Sequence, residues 1–410
     1  MMLIANTIMS RQGHWSLTEG AIVVEYNRIR SVGKLNHISR QFPGHSIVRL
    51  NNAVLMPGLV NAHTHLELPP LLHDIRAASY PQWVMNLLQA KKRFQKKDFV
   101  SAAKNNIQAL IRSGTTTVVE ICTHGISPEI LKKQGLRAVI FHEIITMAQE
   151  VDRAKLHDKR PASRLLRYGI SPHAPHTVSE AALRDIKRIA AKQQLPLSMH
   201  VAESIDEIRL LQCKRGGMDA LYHAVQWDTA WAPHGRSPFE YLHRLGVLNP
   251  AFLAVHAVNV DDHDISLIRR SGAAIAHCPR SNRELGGRKM PLKKFLDARI
   301  PVGIGTDSLA SAPSLNLWDE MRFAYQIHRR SGITPKDIFH LATLGGAKAL
   351  GIEDEIGSLE PGKKADIIAV PLPRKNTGDL YSDLLRETKS CIMSMVNGKI
   401  IYLPENSERT

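Results

Sequence analysis

Short, almost wholly apolar runs recur along the middle of the chain, separated by amphipathic stretches. The runs are Leu55–Val60, Thr116–Ile121, Arg137–Glu143, Tyr168–Ser171, Leu197–His200, Phe252–His256, Ala273–His277 and Val302–Thr306. Brief apolar runs without alternation fit strands buried on both faces, as in a parallel sheet. Between them, Phe99–Arg112, Glu180–Gln193 and Ile265–Arg270 carry helical periodicity. Strand–helix units repeated in this way predict an α/β fold, a closed (β/α)8 barrel of the TIM type over residues 56–354.

The two ends read differently. Leu3–Ile8, Ala21–Glu25, Ile29–Val32 and Ile47–Leu50 are β-rich, with turn signals at Glu19-Gly20 and Pro43-Gly44. Near the other end, Ala365–Val370 and Ile392–Val396 read as strands, and Asn397-Gly398 before Ile400-Ile401 is a hairpin signal. Residues 1–55 and 355–410 are therefore expected to pair into one small discontinuous β-sandwich domain. The chain shows no sequence repeat and no linker rich in Gly, Ser or Pro.

Composition narrows the class. The 410 residues are 43% hydrophobic and 22% charged, which describes a globular chain with a large core, not a disordered one. No apolar stretch approaches the ~20 residues of a membrane helix. Met1–Trp15 lacks the charged and apolar regions of a signal peptide. The four cysteines are scattered with no CxxC pair, which argues against a disulfide framework or a thiolate zinc site. Reduced thiols and a cytoplasmic location are expected.

Lys and Arg number 54 against 38 Asp and Glu, a net charge of +16. A basic surface serves solubility; nucleic-acid binding needs a basic stripe with interleaved aromatics. The densest cluster, Lys91–Lys97, contains only Phe94 and sits in a helix-like stretch, so it reads as a solvated helix face. The expected partner is a small-molecule substrate, with neither membrane nor nucleic acid. A homodimer is the default assembly.

What ends the apolar runs carries the chemistry. The first ends in Asn61-Ala62-His63-Thr64-His65, the third at His142-Glu143, the fourth at Ser171-Pro172-His173 and the fifth at His200-Val201-Ala202-Glu203. The sixth ends at His256, the seventh at His277 and the eighth at Thr306-Asp307. In a closed barrel all C-terminal strand ends meet at one rim, where active sites form. His63 and His65, two apart in an extended segment, point the same way. A lone HxH is a weak signal, and its weight comes from following a buried strand. His200 and Asp307 supply third and fourth ligands, a set suited to one divalent ion, with zinc favoured and iron the alternative. Glu203, three residues past His200, is placed to shuttle protons without binding the ion. His256 is placed to orient the reacting water or stabilise developing charge. His173 is a rim residue for substrate, and His277 stands behind the site.

These segments together resemble the amidohydrolase superfamily. Met56-Pro57-Gly58-Leu59-Val60-Asn61-Ala62-His63-Thr64-His65 is similar to that family's first-strand signature. His200-Val201-Ala202-Glu203, His277-Cys278-Pro279-Arg280-Ser281-Asn282 and Gly303–Ser308 are similar to signatures of its deaminase and chlorohydrolase branch. Gly357–Asp366 resembles the return into the family's sandwich. The resemblance implies a mononuclear site with His63, His65, His200 and Asp307 as ligands, Glu203 as general acid/base, His256 at the water and His173 on the substrate. Binuclear members carry a bridging lysine after the fourth strand, where this chain reads Ser171-Pro172-His173.

Ser79-Tyr80-Pro81-Gln82-Trp83, Arg137–Glu143 and Gly235–Leu242 resemble aminodeoxyfutalosine deaminases, and adenosine and S-adenosylhomocysteine deaminases less closely. This adds Trp83 and Glu143 as substrate contacts. The implied reaction is removal of ammonia from an aminated heteroaromatic ring by metal-bound hydroxide. The alternatives are a hydrolase of the same fold that displaces chloride or opens an amide, and an inactive barrel binding an anionic partner.

Overall fold

The computed structural model describes residues 1–9, 19–71, 73–146, 163–213, 217–227, 235–375 and 377–404. In chain order its strands begin with β1 (Met2–Ile8), β2 (Gly20–Glu25), β3 (Arg28–Lys34), β4 (Ile47–Pro57) and β5 (Leu59–Thr64). There follow β6 (Thr115–Cys122), β7 (Arg137–Ile144), β8 (Leu166–Pro172), β9 (Leu197–Val201) and β10 (Phe252–His256). The last are β11 (Ala274–His277), β12 (Val302–Ile304), β13 (Ile367–Pro371), β14 (Met393–Val396) and β15 (Lys399–Tyr402).

Strands β5 to β12 form an eight-stranded sheet in sequential order. Its pairings are parallel throughout. The sheet closes between β5 and the segment after β12. The Thr306 and Asp307 amides donate to His63 O at 3.0 and 3.1 Å, and the His65 amide donates to Asp307 O at 3.3 Å. Ala62, Val119, Phe141, Leu253, Val255 and Ala276 belong to one buried cluster. It joins β7 to β10, which are not neighbours in the sheet, so it fills the barrel interior.

Helices wrap this barrel because their apolar faces need a partner. The helix Lys96–Ser113 shows the logic: a Gln95/Asp98 capping box starts it, Phe99, Ala103, Ile107 and Leu110 are buried, and Gly114 at φ 94° stops it. Among the described residues, no helix is long and apolar enough to cross a membrane.

The two chain ends meet in a seven-stranded mixed sheet of order β15-β14-β13-β4-β1-β2-β3. Leu3, Ile22, Ile29, Leu55, Ile367, Met393 and Met395 form a buried cluster drawn almost entirely from this sheet, so the sheet covers its own inner face. On the other face, Val54, Met56, Ile368 and Val370 join the large cluster around the barrel.

Two expectations need correction. The first apolar run is divided between the sheets: Leu55 and Met56 pair with Ala369 and Ile368 in the end sheet, and the barrel strand starts at Leu59. Gly58 makes the crossing, because a Cβ there would stand 2.0 Å from Thr116 Oγ1. Lys91–Lys97 is not one helix face. The helix Tyr80–Lys91 ends at this cluster and Lys96–Ser113 begins inside it, leaving an exposed corner.

Candidate active site

The strand ends converge at the C-terminal mouth of the barrel. One ligand atom each from His63, His65, His200 and Asp307 lie within 4.8 Å of one another. His65 Nε2 is 3.3 Å from His200 Nε2. Asp307 Oδ1 is 3.4 Å from His63 Nε2 and 3.5 Å from His65 Nε2. Several residues here bend the chain sharply: Ala202, His256, Ala257 and Asp307 have φ of 55°, 73°, 45° and 58°. Non-glycine residues seldom adopt this conformation, and such strain concentrates at functional sites.

The support around each donor aims it. Asp307 Oδ2 accepts hydrogen bonds from the Ser281 and Ser311 hydroxyls at 2.5 and 2.7 Å, which leaves Oδ1 to face the imidazoles. His200 Nδ1 is 3.0 Å from the His173 carbonyl oxygen. A carbonyl only accepts, so Nδ1 carries the proton and Nε2 presents a lone pair. Among the described residues, His63 is buried with neither ring nitrogen in a hydrogen bond. Burial lowers His63 to about 4 and His65 to about 3, with Asp307 pulling the other way, so both rings are neutral at neutral pH.

A divalent ion fits this set. Donors sharing one ion at about 2.0–2.2 Å stand roughly 3–3.5 Å apart, as these do, and a catalytic ion would keep a further position for water. An unpartnered, buried, neutral imidazole beside a carboxylate is a costly arrangement without a cation.

Glu203 lies past the end of β9. The helix after it begins at Ile205, and the Ser204 hydroxyl accepts from the Glu207 amide, so Glu203 is not spent on the cap. Its Oε1 is 3.2 Å from His256 Nε2, and its Oε2 accepts from the Tyr80 hydroxyl at 2.9 Å. Glu203, His256 and Asp307 form a second group with atoms within 4.8 Å of one another.

The remaining expected residues lie near this group. The His173 ring lies 5.0 Å from that of His200, with Nδ1 2.9 Å from the Thr177 hydroxyl. Glu143, at the end of β7, accepts from the Thr123 hydroxyl at 2.8 Å. Burial acts to raise Glu143, but His173, His65 and Lys91 draw it down to about 2. Trp83 joins the group through Tyr80, on which it stacks at 6.1 Å, and its indole donates to Ala310 O. His277 lies outside the ligand group and pairs with His328.

Sequence reasoning missed Tyr80, Ser281, Ser311 and Glu207 as supports. Glu207 accepts from the Ala202 and Glu203 amides at 3.0 and 2.9 Å and pins the strained turn. Its spacing of four from Glu203 was a readable signal.

A parallel barrel with this donor set at its mouth belongs to the metal-site hydrolases. The family follows from direct comparison: residues 54–401 match the Amidohydrolase family, and the chain belongs to it. It is 30% identical over 388 residues to a 5-methylthioadenosine/S-adenosylhomocysteine deaminase of Pyrococcus abyssi, covering 90% of this chain and 85% of that one. It is 32% identical over 351 residues to an aminodeoxyfutalosine deaminase of Deinococcus radiodurans, covering 81% of each. The crystal structure of an adenosine deaminase from Xanthomonas campestris with bound zinc superposes with a TM-score of 0.84 at 25% identity, covering 100% of this chain and 94% of that one.

Proposed function

We propose that the chain hydrolytically deaminates a 6-aminopurine nucleoside, using one divalent ion held by His63, His65, His200 and Asp307. The observation that carries this reading is Glu203: its carboxyl stands against His256 and Asp307, anchored by Tyr80, without joining the ligand set. An ion bound there supplies Lewis acidity that lowers the pKa of water from 15.7 toward roughly 7. Glu203 takes a proton from the attacking water and delivers it to the ring nitrogen; it then takes the hydroxyl proton of the adduct and delivers it to the departing amine, so ammonia leaves and the carbonyl forms. Among the described residues His256 Nε2 makes no hydrogen bond, and it faces the same space, 3.2 Å from Glu203 Oε1, where it orients the reacting water.

His173, Glu143 and Trp83 contact the substrate. The donor set and the zinc in the adenosine deaminase structure support zinc as the ion, and the absence of lysine at Ser171-Pro172-His173 supports a single one. The relatives named for methylthioadenosine, S-adenosylhomocysteine and aminodeoxyfutalosine support an adenine nucleoside. We also infer a small β domain of residues 1–57 and 355–410 on a catalytic barrel of 58–354, a cytoplasmic location and a homodimer. The described cysteines are free, which supports the location.

The test is ammonia release from adenosine, 5′-methylthioadenosine, S-adenosylhomocysteine and aminodeoxyfutalosine, with atrazine as the chloride-bearing comparison. Turnover of at least one purine is expected. Chloride release from the triazine with no ammonia from any purine would overturn the reading.

A further inference from the structure

A file of buried polar side chains leads away from Glu203. His256 Nδ1 lies 2.7 Å from Asn282 Oδ1. Asn282 Nδ2 lies 3.4 Å from His277 Nδ1. His277 Nε2 lies 3.1 Å from His328 Nε2, at the C-terminal end of the helix Leu317–His328. His256, His277 and His328 are fully buried, and Asn282 nearly so.

With the Asn282 oxygen toward His256 and its nitrogen toward His277, the direction of the file follows. A neutral imidazole has one N–H and one lone pair. The Asn282 oxygen only accepts, so His256 carries its proton on Nδ1. The Asn282 nitrogen only donates, so His277 accepts at Nδ1 and carries its proton on Nε2. His328 then accepts at Nε2 and carries its own proton on Nδ1, where the file ends without a partner among the described residues. Burial holds His277 well below the usual histidine range and lowers His328 to about 4, so neither is an imidazolium. Packing alone would be met by apolar side chains without the cost of burying polar rings.

We propose that His328, His277 and Asn282 are positioning residues that fix the proton of His256 on Nδ1, leaving Nε2 as the acceptor for an O–H, that of the reacting water or of Glu203 once it has taken the water's proton. The effect on rate rests on the role given to His256 above; the effect on the tautomer does not.

Nitrogen NMR of protein labelled with ¹⁵N-histidine, before and after zinc loading, tests it, with signals assigned by single substitutions. The expected pattern is Nδ1–H at His256, Nε2–H at His277 and Nδ1–H at His328. His328→Leu should mix the His256 tautomers and lower kcat about tenfold, with KM and metal content unchanged. His328→Gln, whose amide oxygen accepts from His277, should restore both. An Nε2–H form of His256 in the wild type overturns the proposal, as does a His328→Leu protein with unchanged tautomers and kcat. Should His328→Leu not fold, the wild type and His328→Gln decide, since loss of the His256 pattern in the latter also overturns it. A protein with the expected tautomers that releases no ammonia would sink the deaminase reading and leave this one standing.

Discussion

Asp307 offers one oxygen and withholds the other. Ser281 and Ser311 occupy Oδ2, so Oδ1 alone meets His63 and His65. Partners that orient a ligand in this way contribute about 10–100-fold to metal affinity. Ser281→Ala should therefore fold normally and bind zinc about tenfold more weakly in a chelator-competition titration; unchanged affinity would mean that Ser311 suffices. Glu203→Gln should retain its metal and lose at least ~10²-fold in kcat, read by steady-state ammonia release. Near-wild-type turnover would remove Glu203 from the proton path. His63, His65, His200, Glu203, His256 and Asp307 were legible because each stands at or just past the end of an apolar run. Tyr80, Ser311 and His328 were not. Tyr80 and His328 bond to positions far apart in sequence, Ser311 reaches Asp307 from only four residues on, and a hydroxyl or an isolated histidine leaves no periodic mark.

At the scale of elements, periodicity located the strands well and their allegiance poorly. Leu55–Val60 is apolar throughout because both sheets bury it, and hydrophobicity alone does not say where one sheet hands the chain to the other. Only the close approach at Gly58, invisible in sequence, marks the division. The Asn397-Gly398 turn was legible because its requirement is local. Both residues have positive φ, 51° and 77°, as the two-residue turn between β14 and β15 demands. A Cβ at Gly398 would also lie 2.6 Å from Tyr26 O. Gly398→Ala should thus cost more than about 1 kcal/mol, seen as a lower melting temperature with kcat unchanged.

Across the whole molecule, Asp366 ties the barrel to the end sheet. It takes two bonds from Arg137 at the start of β7, at 2.7 and 3.0 Å, and one from the Asn397 amide at 2.7 Å. The pair is buried, so Asp366→Ala strands a guanidinium and should destabilise by about 3–5 kcal/mol in denaturant unfolding. Purified protein should carry one transition-metal equivalent per chain. Chelation should abolish turnover and lower the melting temperature, because an ion that binds only the folded state stabilises it. No metal, or two equivalents per chain, would contradict a mononuclear site.

The pairing of β4 with β13 sets an order of events during synthesis. Strand β4 leaves the ribosome early, and its partner emerges only after every barrel strand has been made. Until then β4 offers an open edge, with Val54 and Met56 uncovered, to any other nascent strand. Such distant pairing also makes for slow folding. Binding both ends of the chain into one sheet therefore leaves that edge without its native neighbour until the last strands have been made.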